Sequence, residues 1–197
     1  IYVSNDYLSN NILYINNGNG TFTDKCNIYL KHTSKNAMGN DIADMNNDGL
    51  ADIIELDMAP EDNYRQKMMM NDVSYQTFQN SAQYDFMQQY VRNTLQWNQG
   101  RRTLEQDTLG EPLFSETAFF SGIAQTDWSW APLAMDADND GYRDIFISNG
   151  FPKDLSDLDF IAYRVDAYKT TPYQQMLQQV PVVQMANYAY KNNGDYT

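Results

Sequence analysis

The chain has 197 residues and a formal net charge of −13, from 26 acidic and 13 basic side chains. Such a balance repels phosphate backbones and argues against nucleic acid as a partner. No apolar run approaches the roughly 18 residues of a membrane-spanning helix, so no transmembrane segment is expected in this stretch. Cys26 is the single cysteine and cannot form an internal disulfide.

In chain order, the first predicted element is a β-hairpin. Residues 10–18 form a strand-like run that ends in an Asn-Asn-Gly turn, and residues 21–24 supply its partner strand. The same pattern returns at residues 92–100, where the partner strand follows later at 113–116, and again at 186–194. The sequence therefore predicts three copies of one hairpin.

Two acidic loops of nine residues are the most informative motifs. Both read D-x-[DN]-x-D-G-x-x-D, and the Gly at position 6 allows a sharp turn that brings the oxygens of positions 1, 3, 5, 7 and 9 together. Hard oxygen donors at this spacing suit Ca²⁺. The expected ligands of two calcium ions are Asp44, Asn46, Asp48, Asp52 and the Leu50 carbonyl in the first loop, and Asp136, Asp138, Asp140, Asp144 and the Tyr142 carbonyl in the second.

The same residues fit two alternatives to strand-flanked calcium loops. Glu55 at position 12 completes an EF-hand pattern in the first loop, but an EF-hand needs a helix on each side. Residues 53–58 and 145–148 are β-branched or aromatic runs typical of strands, and position 12 of the second loop is Ile147. Ordinary polar turns are the other alternative. Agreement of both loops at every ligand position favours calcium.

Two long insertions separate these motifs, at residues 61–92 and 151–187, and both are predicted to be helical. A cap over strand edges is favoured over a dedicated partner site as their role. A third, polar insertion runs from residue 101 to 112. Apolar side chains at helical spacing are Phe78, Ala82, Phe86, Met87, Tyr90 and Val91 in the first insertion, then Leu155, Leu158, Ile161, Ala162 and Val165, and finally Met176, Leu177 and Val180 before Pro181.

The hairpin at residues 14–24 and the acidic loop at 44–53 together resemble the FG-GAP/VCBS repeat family, whose repeats form the blades of a β-propeller. Further segments resemble more closely the Bacteroidota surface proteins of the VCBS/ASPIC-UnbV type: residues 41–44, 58–64, 126–132 and 154–160. The resemblance implies a mainly β fold, namely calcium-binding propeller blades with helical insertions. It also implies an extracellular or outer-membrane location rather than a periplasmic one.

The resemblance divides the chain into segments. The whole of 1–197 is expected to be an internal part of one larger propeller, and on its own it should expose unpaired strand edges and aggregate. Residues 1–6 match residues 145–150, the strand directly after the second acidic loop. The expected order is a blade portion at 1–60, a helical insertion at 61–92, a second blade portion at 93–150, a second helical insertion at 151–187 and the start of the next blade at 188–197.

The expected function is non-enzymatic binding of a protein or glycan at the cell surface, beside an outer-membrane uptake complex. His32, the only histidine, lies in a polar stretch without a nucleophile nearby, and calcium already accounts for the clustered carboxylates. The alternative is a non-catalytic part of a polysaccharide-degrading enzyme. Trp97, Trp128 and Trp130 can stack on sugar rings, although packing between blades is favoured for Trp130.

Overall fold

The computed structural model describes residues 1–69, 74–101, 110–151 and 153–195. Within them, thirteen strands and five helices form the mainly β fold that the sequence predicts. None of the described helices has the length and apolar character needed to cross a membrane. The Ala82 side chain, most of the polar insertion (102–109) and residues 196–197 lie outside this description.

The strands in chain order are β1 (Tyr2–Val3), β2 (Ile12–Asn16), β3 (Phe22–Asp24), β4 (Thr33–Ser34), β5 (Gly39–Ala43), β6 (Asp52–Leu56), β7 (Met58–Ala59), β8 (Gln89–Tyr90), β9 (Thr94–Arg101), β10 (Pro112–Glu116), β11 (Asp127–Met135), β12 (Asp144–Asn149) and β13 (Tyr188–Tyr190). The helices are α1 (Cys26–Tyr29), α2 (Asn63–Met68), α3 (Tyr75–Gln83), α4 (Leu158–Ala167) and α5 (Tyr173–Gln178).

Three antiparallel sheets share one plan. Sheet 1 has the order β1-β2-β3, sheet 2 the order β5-β6-β9-β10, and sheet 3 the order β7-β11-β12-β13. The strands of sheet 2 pair up and down in chain order. In sheets 2 and 3, a hairpin closed by an acidic loop is followed by a strand from an Asn-Gly hairpin. A small parallel sheet of β4 and β8 connects the segment before β5 to the segment before β9.

Both acidic loops join strands, so the EF-hand interpretation is excluded by the flanks. The first loop closes β5 onto β6 with Ala43 opposite Asp52, and the second closes β11 onto β12 with Met135 opposite Asp144. The free edge of β6 then pairs with β9. Sheet 2 thus draws strands from both the 1–60 and the 93–150 segments, because β6 needs a hydrogen-bonding partner on its second edge.

Strand β6 lies between two hydrophobic cores, and all five of its residues are buried. Successive side chains of a strand point to opposite faces, so Ile53 packs toward sheet 1 and Ile54 toward sheet 3. The three sheets therefore stack face to face with sheet 2 in the middle. The first core contains Tyr2, Leu13, Cys26, Tyr29, Leu30, Ile53, Met87 and Phe114. The second contains Met45, Ile54, Leu56, Leu95, Trp97, Ala118, Ile123, Ala124, Ile145 and Ile147.

The first insertion is less helical than its apolar spacing predicts. Helix α3 ends at Gln83, because Asp85 adopts a left-handed backbone with φ of 58°. The Phe86 amide then donates to the Ser81 carbonyl at 3.1 Å, which closes the last turn of the helix. The prediction of helix from residue 86 to 91 was wrong, and Tyr90 belongs to strand β8.

The second insertion buries a different face of α4 from the predicted one. Leu155, Leu158 and Val165 are 55%, 41% and 66% exposed, whereas Phe160 and Ala167 are buried. The predicted stripe was therefore wrong for this helix, whose buried side chains lie on another face. In and just after α5, the predicted Met176 and Val180 are buried.

Arg65 of α2 connects the two insertions. Its guanidinium forms a two-pronged ion pair with Asp127, with nitrogen–oxygen distances of 2.6 and 3.0 Å, and a further ion pair with Asp154. An isolated β-bridge between Met69 and Asp157 lies beside it. The two insertions therefore contact each other and the start of β11.

Candidate metal centres

The two acidic loops have the same backbone conformation. At position 4, Asn47 and Asn139 have φ values of 60° and 62°, in the left-handed region that asparagine tolerates. At position 6, Gly49 and Gly141 have φ values of 83° and 96°, where the absence of a Cβ removes the steric cost. The shared sequence motif thus encodes a shared turn.

Side-chain oxygens inside each loop accept hydrogen bonds from its own backbone. Asp44 accepts from the amides of Asp48 and Gly49 at 3.1 and 2.9 Å, and Asp48 accepts from the Leu50 amide at 2.8 Å. These bonds hold the carboxylates of positions 1 and 5 on the inner side of the turn. The second loop repeats them, with Asp140 and Gly141 donating to Asp136 and Tyr142 donating to Asp140.

The position-9 carboxylate fastens each loop to the neighbouring Asn-Gly hairpin. Asp52 is buried and accepts from the Met45 amide at 2.9 Å and the Asn98 amide at 2.8 Å. Burial raises the pKa of Asp52 to about 6, although both amides act in the opposite direction. Asp144 is bound in the same way by the amides of Ala137 and Asn192.

The second loop brings three carboxylates together. Oxygens of Asp136, Asp138 and Asp144 lie within 4.8 Å of one another, and within the described ranges this is the one group of three or more acidic, His or Cys side chains that could hold a metal ion. All its donors are oxygens, which suits hard cations. Asp140 lies outside the group, and its Oδ2 is 3.2 Å from the Lys191 ammonium.

The first loop has fewer carboxylates because Asn46 occupies position 3. The Asn46 amide nitrogen donates to the Asp48 Oδ2 at 3.0 Å. Leu50 and Tyr142 occupy matching places at position 7 of the two loops. The predicted ligand residues therefore lie on equivalent turns, with the closest clustering of carboxylates in the second.

The loops are also neighbours of each other. The side-chain amide of Asn47 donates to the Gly141 carbonyl at 2.8 Å. The side-chain amide of Asn192 donates to the Met45 carbonyl at 2.7 Å and to the Arg143 carbonyl at 3.1 Å. One rim of the stacked sheets thus carries both acidic loops.

A repeated asparagine, whose role the sequence did not reveal, ties each sheet together. Asn11, Asn93 and Asn187 hold equivalent places before the Asn-Gly hairpins. Each accepts a hydrogen bond of 2.8 Å from the backbone amide of an equivalent residue: Asn5, Asp57 and Asn149. A second asparagine accepts from each hairpin glycine, namely Asn16 from Gly18, Asn98 from Gly100 and Asn192 from Gly194. The same repeat geometry therefore extends over all three sheets.

Glu55 at position 12 turns away from the first loop and into the protein interior. Its carboxylate accepts hydrogen bonds from the Ser4 hydroxyl at 2.7 Å, the Asn11 side-chain amide at 2.6 Å and the Ser34 backbone amide at 3.0 Å. Burial raises the pKa of Glu55 to about 7, although the hydrogen bonds from Ser4 and Ser34 act in the opposite direction. The residue that suggested an EF-hand is thus a buried hydrogen-bond acceptor between sheets 1 and 2.

Other residues singled out in the sequence serve packing and ion pairing. His32 lies 3.3 Å from Glu116, which also pairs with Arg92 at 2.6 Å. Trp97 is 3% exposed within the second core. Trp130 is 44% exposed and donates its indole N–H to the Gly150 carbonyl, so it is not buried between the described sheets, and its packing between blades stays a prediction.

Comparison with known proteins gives one family match. The family described as "FG-GAP-like repeat" matches residues 1–54, a range that covers sheet 1, strand β5 and the first acidic loop. Searches of curated proteins and of solved structures found no match. The match supports the FG-GAP family, in that residues 1–54 are similar to an FG-GAP-like repeat.

Proposed function

We propose that this chain is part of a calcium-stabilised β-propeller that binds another protein at the cell surface. The observation that carries the proposal is the pair of equivalent acidic loops, side by side on one rim and linked by the Asn47–Gly141 hydrogen bond. The FG-GAP-like repeat suggests a protein-interaction or adhesion-like module. Glycan binding is the other surface role that the sequence suggested.

The propeller proposal rests on how sheets 2 and 3 meet. A Cβ added to Gly39 of β5 would lie 2.4 Å from the Trp130 carbonyl oxygen of β11. The Ala134 amide of β11 donates to the Asp41 carboxylate at 2.8 Å. Strand β5 at the edge of sheet 2 therefore runs close to β11 of sheet 3, while apolar cores fill the space between sheet faces. Radial stacking of four-stranded sheets around an axis has these features.

Calcium fits the donor set of the loops. In the second loop, Asp136, Asp138 and Asp144 would hold the ion, with Asp140 and the Tyr142 carbonyl as further oxygens. In the first loop, Asp44, Asn46, Asp48, Asp52 and the Leu50 carbonyl would do so. When bound, the ion supplies positive charge that offsets the mutual repulsion of the carboxylates. Because Asn192 joins the second loop to Met45 of the first, stiffening one loop restrains the other.

The proposed metal and the resemblance both support a location at the cell surface. Sites that bind Ca²⁺ only at extracellular concentrations occur in extracellular modules, and the Bacteroidota surface proteins suggest an outer-membrane or secreted setting. Fractionation of the source cells tests this part. Recovery with the outer membrane or the medium supports the surface role, and recovery with the cytoplasm removes it.

The calcium proposal is tested by melting the protein with CaCl₂ and with a chelator. Binding to the folded state alone, at a calcium concentration 100 times the Kd, adds about 2.7 kcal/mol per site. We expect chelation to lower the Tm and Asp136→Asn to remove part of the calcium-dependent gain. Asp166→Asn on the exposed face of α4 is the control and should retain the full gain. Equal melting with and without calcium would contradict the proposal.

A further inference from the structure

Lys191 distinguishes the second acidic loop from the first. It follows β13 directly, and its ammonium forms an ion pair with the Asp138 Oδ2 and lies 3.2 Å from the Asp140 Oδ2. Counted back from the hairpin asparagine, the equivalent residue at the first loop is Trp97, which is buried in the core. The first loop therefore has no cation in this place.

The lysine also makes the second loop less negative than the first. Position 3 is Asn46 in the first loop and Asp138 in the second, so the second loop carries one more carboxylate. The ammonium that offsets this carboxylate binds to Asp138 itself. Arg143 lies in the second loop as well, so four carboxylates with Arg143 and Lys191 give that loop a formal charge of −2, against −3 from the three carboxylates of the first loop.

We infer that Lys191 is a built-in competitor for the metal, which weakens Ca²⁺ binding at the second loop. The inference rests on the proposed calcium function. Asp138 is one of the three clustered carboxylates of the second loop. An ammonium ion bound to its oxygen competes with a metal ion for the same ligand. Calcium must either displace the lysine or bind beside a positive charge.

The expected effect is moderate because the lysine is exposed. Its side chain is 59% accessible, and those of Asp138 and Asp140 are 40% and 34% accessible, so water screens the ion pairs and leaves them weak. The repulsion between a divalent ion and a unit charge roughly 5 Å away in water-like surroundings changes an affinity about tenfold. Lysine can also swing away when calcium enters, since its head group already faces solvent.

The test is calorimetric titration of the purified protein with CaCl₂. The substitutions Asp44→Asn and Asp48→Asn are made first, to remove calcium binding at the first loop. The measured heat of binding then comes from the second loop. In this background we expect Lys191→Met to tighten calcium binding about tenfold. Lys191→Arg keeps the charge and should stay within about twofold of the parent. Lys169→Met, on the exposed turn after α4, changes the net charge equally and should have no such effect.

The outcomes separate the inference from the calcium function. Equal affinities for the parent and Lys191→Met, with calcium bound in both, would overturn the role of Lys191 and leave the metal site standing. An equal gain in Lys169→Met would also overturn it, because the effect would then come from net charge alone. If none of the variants binds calcium, both the inference and the proposed metal function fail.

Discussion

The buried asparagine of sheet 2 gives the sharpest stability prediction. Asn93 is fully buried; its Oδ1 accepts from the Asp57 amide at 2.8 Å, and its Nδ2 donates to the Ile123 carbonyl at 2.8 Å and the Thr126 hydroxyl at 2.6 Å. Asn93→Ala removes all three bonds. Thr126 retains Ser129 as a partner, but the other two groups lose theirs. Each buried polar group left without a partner costs about 1–3 kcal/mol, so the expected loss is about 4 kcal/mol.

Sheet 3 provides a matched control within the same chain. Asn187 accepts an equivalent bond of 2.8 Å from the Asn149 amide, but this asparagine is exposed. Water replaces the lost bond there, and Asn187→Ala should cost under about 1 kcal/mol.

The assay is urea unfolding followed by tryptophan fluorescence at saturating calcium, with the m-value checked for constancy. Equal losses in Asn93→Ala and Asn187→Ala would refute the argument, since burial would then not set the cost. A loss below about 1 kcal/mol in Asn93→Ala would refute it too.

Two further predictions concern an ion pair and a close backbone contact. Burial opposes ionisation of Glu116, but His32 and Arg92 together with the Ala118 amide lower its pKa to about 2 from 4.5. The ionised Glu116 therefore stabilises the folded state above pH 4.5, and this stabilisation is lost as the pH falls through 2. In unfolding curves measured over this range, the wild type should lose about 3 kcal/mol of stability relative to Glu116→Gln. The same pH dependence of stability in both proteins would contradict this. Gly39→Ala places a methyl group against the Trp130 backbone and should destabilise the fold by about 1–3 kcal/mol, measured by thermal melting. An unchanged Tm would show that the close contact between β5 and β11 does not require glycine at this position.

Local features of the fold were predictable because their signals are local. The Asn-Gly turns and the acidic loops each fix a backbone turn within a few residues, and the flanking β-branched runs identify strands. Membership of a sheet was not predictable in the same way. Strand β6 pairs with β9 across the whole first insertion, and no short pattern specifies which edge meets which.

The helical insertions show where periodicity is insufficient. A single left-handed residue, Asp85, ends α3 although apolar spacing continues beyond it. In α4 apolar spacing did not identify the buried face, since Phe160 is buried while Val165 is exposed. The ligand positions of the acidic loops were readable from sequence. The backbone amides of Asn98 and Asn192 that bind the loops could not be predicted from sequence, because nearly every residue type offers the same backbone donor.

The connection that joins β1 to β2, β6 to β9 and β12 to β13 has a consequence for how such proteins diversify. In sheet 1 residues 4–11 span this gap, whereas in sheets 2 and 3 the corresponding connections are residues 57–93 and 150–187. Loop-closure entropy grows only logarithmically, by about 0.6 kcal/mol per doubling of length, so the longer connections add little closure cost. The asparagine bond at the base of each connection stays at 2.8 Å whatever its length. This junction is thus a natural grafting point, where new recognition elements can be exchanged between relatives or by engineering without resetting the register of the strands.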